Sequence, residues 1–378
     1  MKKILYLFLA ITLLLSFTLG GCSCNPSTPL VFSPNFLGKD ASGNTNTINS
    51  SYTETLTYKV EYEAEYDTLK KSQSITEDLS NVYQNGLYVS EFKVFSSIST
   101  AGSTLDSGAI KDITNIDDSN QDYAQSEIYY IKNKLSLDVV KDGYNNTDTI
   151  ESHVYFYPAG LSFAPIYSYT QMKMTYMFLN NGKLEPKTYV YQFEFFYNTN
   201  NFSCVKKFYD FTKEDVKDFD FSDSAWTSKL QNMPGSGNSK EYTARQVIDN
   251  NQLLFAIRNL NIASGNSQTL PTTNYTYGDK KDLSVSNKND GTTTLNFNYN
   301  GTPITDLAMP VKNMSFVIGG TDNVGSQKYI TVQKEKVDGS AVENTALPIK
   351  YVEGIVESSS YNTIGVLEYT LTDVNITR

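Results

Sequence analysis

Alternation with period two runs through most of this chain. Between Leu56 and Tyr66, the residues Leu56, Tyr58, Val60, Tyr62, Ala64 and Tyr66 fall on one side, and Thr57, Lys59, Glu61, Glu63 and Glu65 on the other. That is the pattern of a half-buried β-strand. It recurs at Tyr129, Ile131, Leu135, Leu137 and Val139, then at Tyr189, Tyr191, Phe193, Phe195 and Tyr197. Later copies are Leu295/Phe297/Tyr299, Met314/Phe316/Ile318 and Leu367/Tyr369/Leu371. Between and around such runs stand Asn85-Gly86, Asp142-Gly143, Asn181-Gly182, Asp290-Gly291, Asn300-Gly301 and Asp338-Gly339, the dipeptides that tight hairpins prefer because both central residues need positive φ. The expected fold is mainly β: an antiparallel meander with one wet face.

Helix signals are few. Thr243-Ala-Arg-Gln246 has capping-box spacing, and Asp249-Asn-Asn-Gln252 restarts the same pattern. Leu253, Leu254, Ile257 and Leu260 then recur at helical spacing until Gly265. A second short helix is expected through Lys213–Phe219. The stretch Met233–Ser239 divides a β-rich half, 52–233, from a half with the helix and further strands, 240–378. Two domains fit this length, and so does one continuous sheet with the helix packed in its concavity.

The first residues carry a different signal. Lys2 and Lys3 precede an apolar run, Ile4–Leu19, relieved only by Thr and Ser. At sixteen residues it is short of the roughly 20 that span a bilayer core, so residues 1–21 read as a secretory signal. Its ending, Leu19-Gly20-Gly21-Cys22, resembles the lipobox of bacterial lipoproteins. The resemblance implies that Cys22 becomes a lipidated N-terminus, anchoring the chain to the cell membrane from outside the cytoplasm. Acyl anchoring that lasts takes more than one chain, as the diacylglyceryl group of that class provides. Residues 22–51, poor in apolar side chains, read as a flexible tether. Frequent Asn, Lys, Ile and Tyr favour a Gram-positive-like host.

The body has a resemblance of its own. The helix segment Leu253–Leu260, containing Arg258, and the closing strands with Pro348, Gly365, Leu367 and Leu371 are similar to a group of bacterial envelope β-proteins. Those are related in fold to the half-barrel lipoprotein carriers. Membership implies a large curved sheet, half-barrel-like, around an apolar cavity plugged by one or two short helices.

Charge and chemistry narrow the function further. The formal charge of −10 becomes −12 once Lys2 and Lys3 are removed. With no Lys/Arg run longer than two, nucleic acid is not an expected partner. His153 is the only histidine and sits in a strand-like run, so neither a Ser-His-Asp apparatus nor a Cys/His metal site is expected. The loops Asp118–Asp122 and Asp218–Ser222 place oxygen ligands at alternate positions but fail the EF-hand pattern at positions six and twelve. Cys204 reads as a small buried hydrophobe. No metal or cofactor is expected.

Twenty-eight tyrosines and twenty phenylalanines against one tryptophan suit strands, cavity walls and contact surfaces alike. The leading expectation is a non-enzymatic envelope lipoprotein that binds an apolar or amphipathic ligand, such as a lipid, in the half-barrel cavity. The candidate wall is Tyr58, Val60, Tyr62, Tyr191, Phe193, Phe195, Leu254 and Ile257, closed by a 244–262 helix. An alternative is a surface adhesive or structural lipoprotein contacting proteins or glycans. A third class, a carboxylate-dependent hydrolase, needs two carboxylates flanking a cleft, and no pair stands out.

Overall fold

The computed structural model describes residues 48, 50–63, 77, 79–96, 127–158, 163–198, 203–210, 239–241, 248–260, 262–273, 280–318, 327–356 and 363–378. All of them belong to one compact unit, Val31–Arg378. The leader, Cys22, almost all of the tether, the 213–219 helix, both acidic loops and most of the 233–239 divide lie outside the described residues.

Within that set, fourteen strands form one sheet. The first eight are β1 (Thr53–Tyr62), β2 (Tyr83–Phe95), β3 (Ile128–Lys141), β4 (Tyr144–Phe156), β5 (Pro165–Asn180), β6 (Lys183–Asn198), β7 (Ser203–Asp210) and β8 (Ser239–Glu241). A 3₁₀ turn, Asn250–Gln252, and a helix, α1 (Leu253–Arg258), follow. Then come β9 (Ser267–Thr273), β10 (Lys280–Tyr299), β11 (Thr302–Ile318), β12 (Gln327–Gln333), β13 (Pro348–Val356) and β14 (Thr363–Thr377).

Strands β1–β8 make one antiparallel meander and β9–β14 another. The two are sewn together where β1 lies antiparallel to β14, with Thr53 opposite Thr377 and Tyr62 opposite Leu367. Strands from both halves of the sequence therefore share one sheet. A short parallel contact of Asn298–Tyr299 with Asp373–Val374 brings β10 back onto β14. The sheet also curls. Tyr176 on β5 and Glu353 on β13 are six strand spacings apart, about 29 Å if the sheet were flat. Yet Glu353, after burial and Asp148, contributes to pushing the Tyr176 phenol up to about 12. Only a curved sheet lets those two side chains face one another.

The alternation explains which side is inside. Register puts Glu54, Phe92, Ile131, Val154, Ser168 and Phe195 on one cross-strand rung. The next rung is Leu56, Ser90, Asn133, Ser152, Thr170 and Phe193, and the one after is Tyr58, Tyr88, Leu135, Ile150, Met172 and Tyr191. This inner face receives the helix. Leu56, Tyr58, Ile131, Leu135, Tyr191 and Phe195 of the alternating runs lie on it.

Three of the six turn dipeptides close hairpins. Asp142-Gly143, Asn181-Gly182 and Asn300-Gly301 all have positive φ at both residues and join β3–β4, β5–β6 and β10–β11. Asn85-Gly86 instead lies inside β2, where the pairing with β3 skips between Gln84 and Leu87 as a β-bulge. Asp290-Gly291 lies inside the twenty-residue β10, and Asp338-Gly339 in the longer β12–β13 connection. The helix is also shorter than the 244–262 expectation: its regular part is six residues, preceded by the 3₁₀ turn and ended at Asn259.

Candidate functional site

The helix is seated by polar clasps at both ends. Asp249 caps the 3₁₀ turn by accepting the Asn251 N–H at 2.8 Å. Its buried carboxylate also accepts hydrogen bonds at 2.5 Å from Ser168 on β5 and Tyr197 on β6. Burial raises its pKa, and these three donors act against that rise. Asn251 accepts Asn133 Nδ2 at its carbonyl, 3.0 Å, and donates through its own Nδ2 to Thr170 at 2.9 Å. On the small polar rung Ser90–Asn133–Ser152–Thr170, unusual on an apolar face, Asn133 and Thr170 thus hold the turn that opens the helix.

At the other end Arg258 reaches β1. Its two terminal nitrogens donate to the two Glu54 oxygens at 2.6 and 2.8 Å, and one donates to the Thr345 carbonyl at 3.0 Å. Both side chains are only 3% exposed. Burial would lower the Arg258 pKa, but the adjoining Glu54 carboxylate more than offsets this and raises it. Tyr52 adds a hydrogen bond to Glu54 at 3.1 Å.

Between the clasps the contact is apolar. The Phe255 ring stacks on Phe92 at 4.8 Å and meets the rings of Tyr129, Phe156 and Phe163 edge-on at 5.4–6.2 Å. Ala256 and Ile257 are completely buried.

A crevice remains between the helix and β1–β3. Leu56, Tyr58, Phe92, Ile131, Leu254 and Phe255 form its apolar wall, and Ser90, Asn133, Asn251 and the Glu54–Arg258 pair its polar end. The free space is about 20 Å³, room for one or two water molecules. Tyr58 donates its hydroxyl to the Pro348 carbonyl at 2.6 Å, and burial pushes its phenol well above the usual range.

No family model matches the chain, and no curated protein matches it. Among solved structures it is similar to the beta-barrel-like protein of the domain of unknown function DUF1849 from Brucella abortus. That similarity has 8% sequence identity and a TM-score of 0.41, and it covers 87% of this chain and 99% of that one.

Of the eight wall residues expected from the sequence, Tyr58 and Leu254 come together in the crevice. Val60, Phe195 and Ile257 are buried in packing away from it. Tyr62 is half-buried and stacks on Tyr83 at 6.4 Å, and Tyr191 is half-buried 5.8 Å from Tyr189. The Phe193 side chain is outside the described residues, although its backbone places it on the same inner face. The sequence reading missed Glu54, Asn133 and Asn251, and it gave Arg258 no role. A signal existed for the first: Glu54 continues the Leu56–Tyr58–Val60 face two residues upstream, a carboxylate on an apolar stripe.

Proposed function

We propose that the chain is a lipid-anchored protein of the cell envelope, held outside the cytoplasmic membrane through Cys22, and that it acts by binding rather than catalysis. The ligand is amphipathic. It engages the inner face of the sheet at the crevice, with its polar group toward Ser90, Asn133 and the Glu54–Arg258 pair and its apolar part against Phe92, Ile131 and Leu254. The observation that carries this reading is the meeting of polar and apolar walls in one crevice beside a half-exposed helix residue, Leu254. With room for only one or two waters, uptake requires Leu254 and its turn to move outward, so the described form is the closed one.

Native mass spectrometry of the full chain, followed by organic extraction, tests the reading. A non-covalently held lipid or similar amphiphile is expected, distinct from the covalent mass at Cys22. Leu254→Trp, which fills the crevice mouth, should lose that ligand while keeping the wild-type melting temperature. A clean mass, together with no uptake of a fluorescent fatty acid, would rule this reading out.

A second reading is a surface protein that contacts glycans or proteins through the outside of the sheet. It is favoured by the tightness of the interior: a crevice this small and a helix clasped at both ends are what a protein with no cargo needs.

A further inference from the structure

The outer face of β3–β6 departs from the wet surface that alternation predicts. At one end it buries an aromatic cluster that includes Phe95, Tyr130, Tyr155 and Tyr167, with Tyr169 packed against it. Beside this run two polar rungs. Lys132, His153, Tyr169 and Glu194 are successive cross-strand neighbours, and so are Lys134, Glu151, Gln171 and Gln192. His153 Nδ1 shares a 2.7 Å hydrogen bond with the Tyr130 hydroxyl, and its Nε2 lies 3.2 Å from Glu151. Lys132 is also 3.2 Å from Glu151. The His153 bond, aided by Lys132, overcomes burial and holds the Glu151 carboxyl down at about 2.

Gln171 is the anomaly. It is 2% exposed, and among the described residues neither its Oε1 nor its Nε2 has a hydrogen-bond partner. Gln192, wholly buried beside it, gives Nε2 to the Tyr169 hydroxyl at 2.7 Å and likewise leaves Oε1 without one. A buried amide left unsatisfied costs about 1–3 kcal/mol. Leucine or valine would fill a β-sheet position without that cost. The two amides therefore point to a ligand that supplies both a donor and an acceptor.

We propose that this rung is a carbohydrate-binding site in which the Gln171 amide meets a pair of adjacent sugar hydroxyls, donating to one and accepting from the other. The neighbouring chemistry selects that class. Tyr169 offers a half-buried ring for the apolar face of a pyranose, and Glu151 offers a charged acceptor for further hydroxyls. An apolar ligand would leave both amides unsatisfied. An anion would meet Glu151 and Glu194, and a cation would meet Lys132 and Lys134, so a neutral polyol fits best. Entry is from the Glu151–His153 side, where these side chains are 19% and 20% exposed. The site is on the opposite face from the crevice and does not depend on it. It rests on the second reading above, to which it gives a place and a ligand class.

Saturation-transfer NMR on the full chain in detergent micelles tests it, with glucose, galactose, N-acetylglucosamine and their β-1,4-linked dimers as probes. At least one should receive saturation. Gln171→Leu should weaken that saccharide at least tenfold while keeping or raising the melting temperature, because it removes an unsatisfied amide. Tyr169→Leu should weaken it similarly, which keeps the test decisive if Gln171→Leu fails to fold. Leu254→Trp on the inner face should leave it unchanged. The proposal is overturned if no saccharide in the set binds, or if a folded Gln171→Leu or Tyr169→Leu chain binds like wild type. Either result leaves the inner-face reading standing.

Discussion

Arg258→Met would test how the helix is held. The substitution preserves length and apolar stem but removes both hydrogen bonds to Glu54 and the one to Thr345. What remains is a carboxylate 3% exposed, supported among the described residues only by the Tyr52 hydroxyl. Breaking a buried pair from one side costs about 3–5 kcal/mol, because the surviving charge has neither water nor a counter-charge. Set against a typical total stability of about 5–15 kcal/mol, that is a large fraction. At an m-value near 3 kcal/mol/M it would lower the urea midpoint by roughly 1–1.7 M. The double variant Glu54→Leu/Arg258→Met removes both charges and should recover to within about 2 kcal/mol of wild type, since apolar replacements of buried pairs are often neutral. Equilibrium urea unfolding followed by circular dichroism measures all three chains. A single-variant loss below about 1 kcal/mol, or a double variant no better than the single, would refute the idea that Glu54 and Arg258 are mutually dependent buried charges.

Two further outcomes follow from buried groups elsewhere. Burial pushes the Asp148 carboxyl up to about 6, against hydrogen bonds from Thr175 and Asn146; an unfolded Asp titrates near 3.9, so the folded state keeps a proton that the unfolded chain releases between about pH 4 and 6, and this contribution to stability is lost as pH rises through that window. Wild type should therefore lose about 2 kcal/mol relative to Asp148→Asn between pH 4 and pH 7, and a difference in melting temperature that stays flat with pH would remove burial as the cause. Gly86→Ala should cost about 2–3 kcal/mol in thermal unfolding, because its Cβ would stand 2.3 Å from the Val60 carbonyl oxygen and 2.6 Å from Val60 Cβ; a neutral result would mean the β2 bulge is laxer than described.

The strands were legible because side-chain period is local: Leu56–Val60, Tyr129–Val139 and Leu367–Leu371 each announce their buried side within a few residues. Hairpins were legible only where Asp-Gly or Asn-Gly had both residues at positive φ. At Asn85-Gly86 the same dipeptide serves a bulge, with glycine chosen for close approach to Val60 rather than for a turn. The helix was visible in Leu253, Leu254 and Ile257. Its length was not, because Asp249 starts a 3₁₀ turn rather than an α-helix. The site was half legible. Tyr58 and Leu254 follow from apolar periodicity, but the Glu54–Arg258 pair joins residues 204 positions apart, and no local pattern encodes a partner at that distance. Gln171 was invisible for a different reason: on a nominally polar face a glutamine looks ordinary until its burial is known.

The seam between β1 and β14 has a consequence for how the chain is made. Of the described strands, β1 is the first to be synthesised and β14 the last, yet they are neighbours. While the intervening 300 or so residues emerge, one edge of β1 has only its own backbone groups to offer, an edge able to recruit foreign strands. Contacts this distant in sequence also form slowly. The two meanders can each assemble from neighbouring hairpins, but their union waits for the fifteen-residue β14. A chain cut short before Thr363 would carry two exposed edges in place of a seam, so β14 must be made before this sheet is sealed.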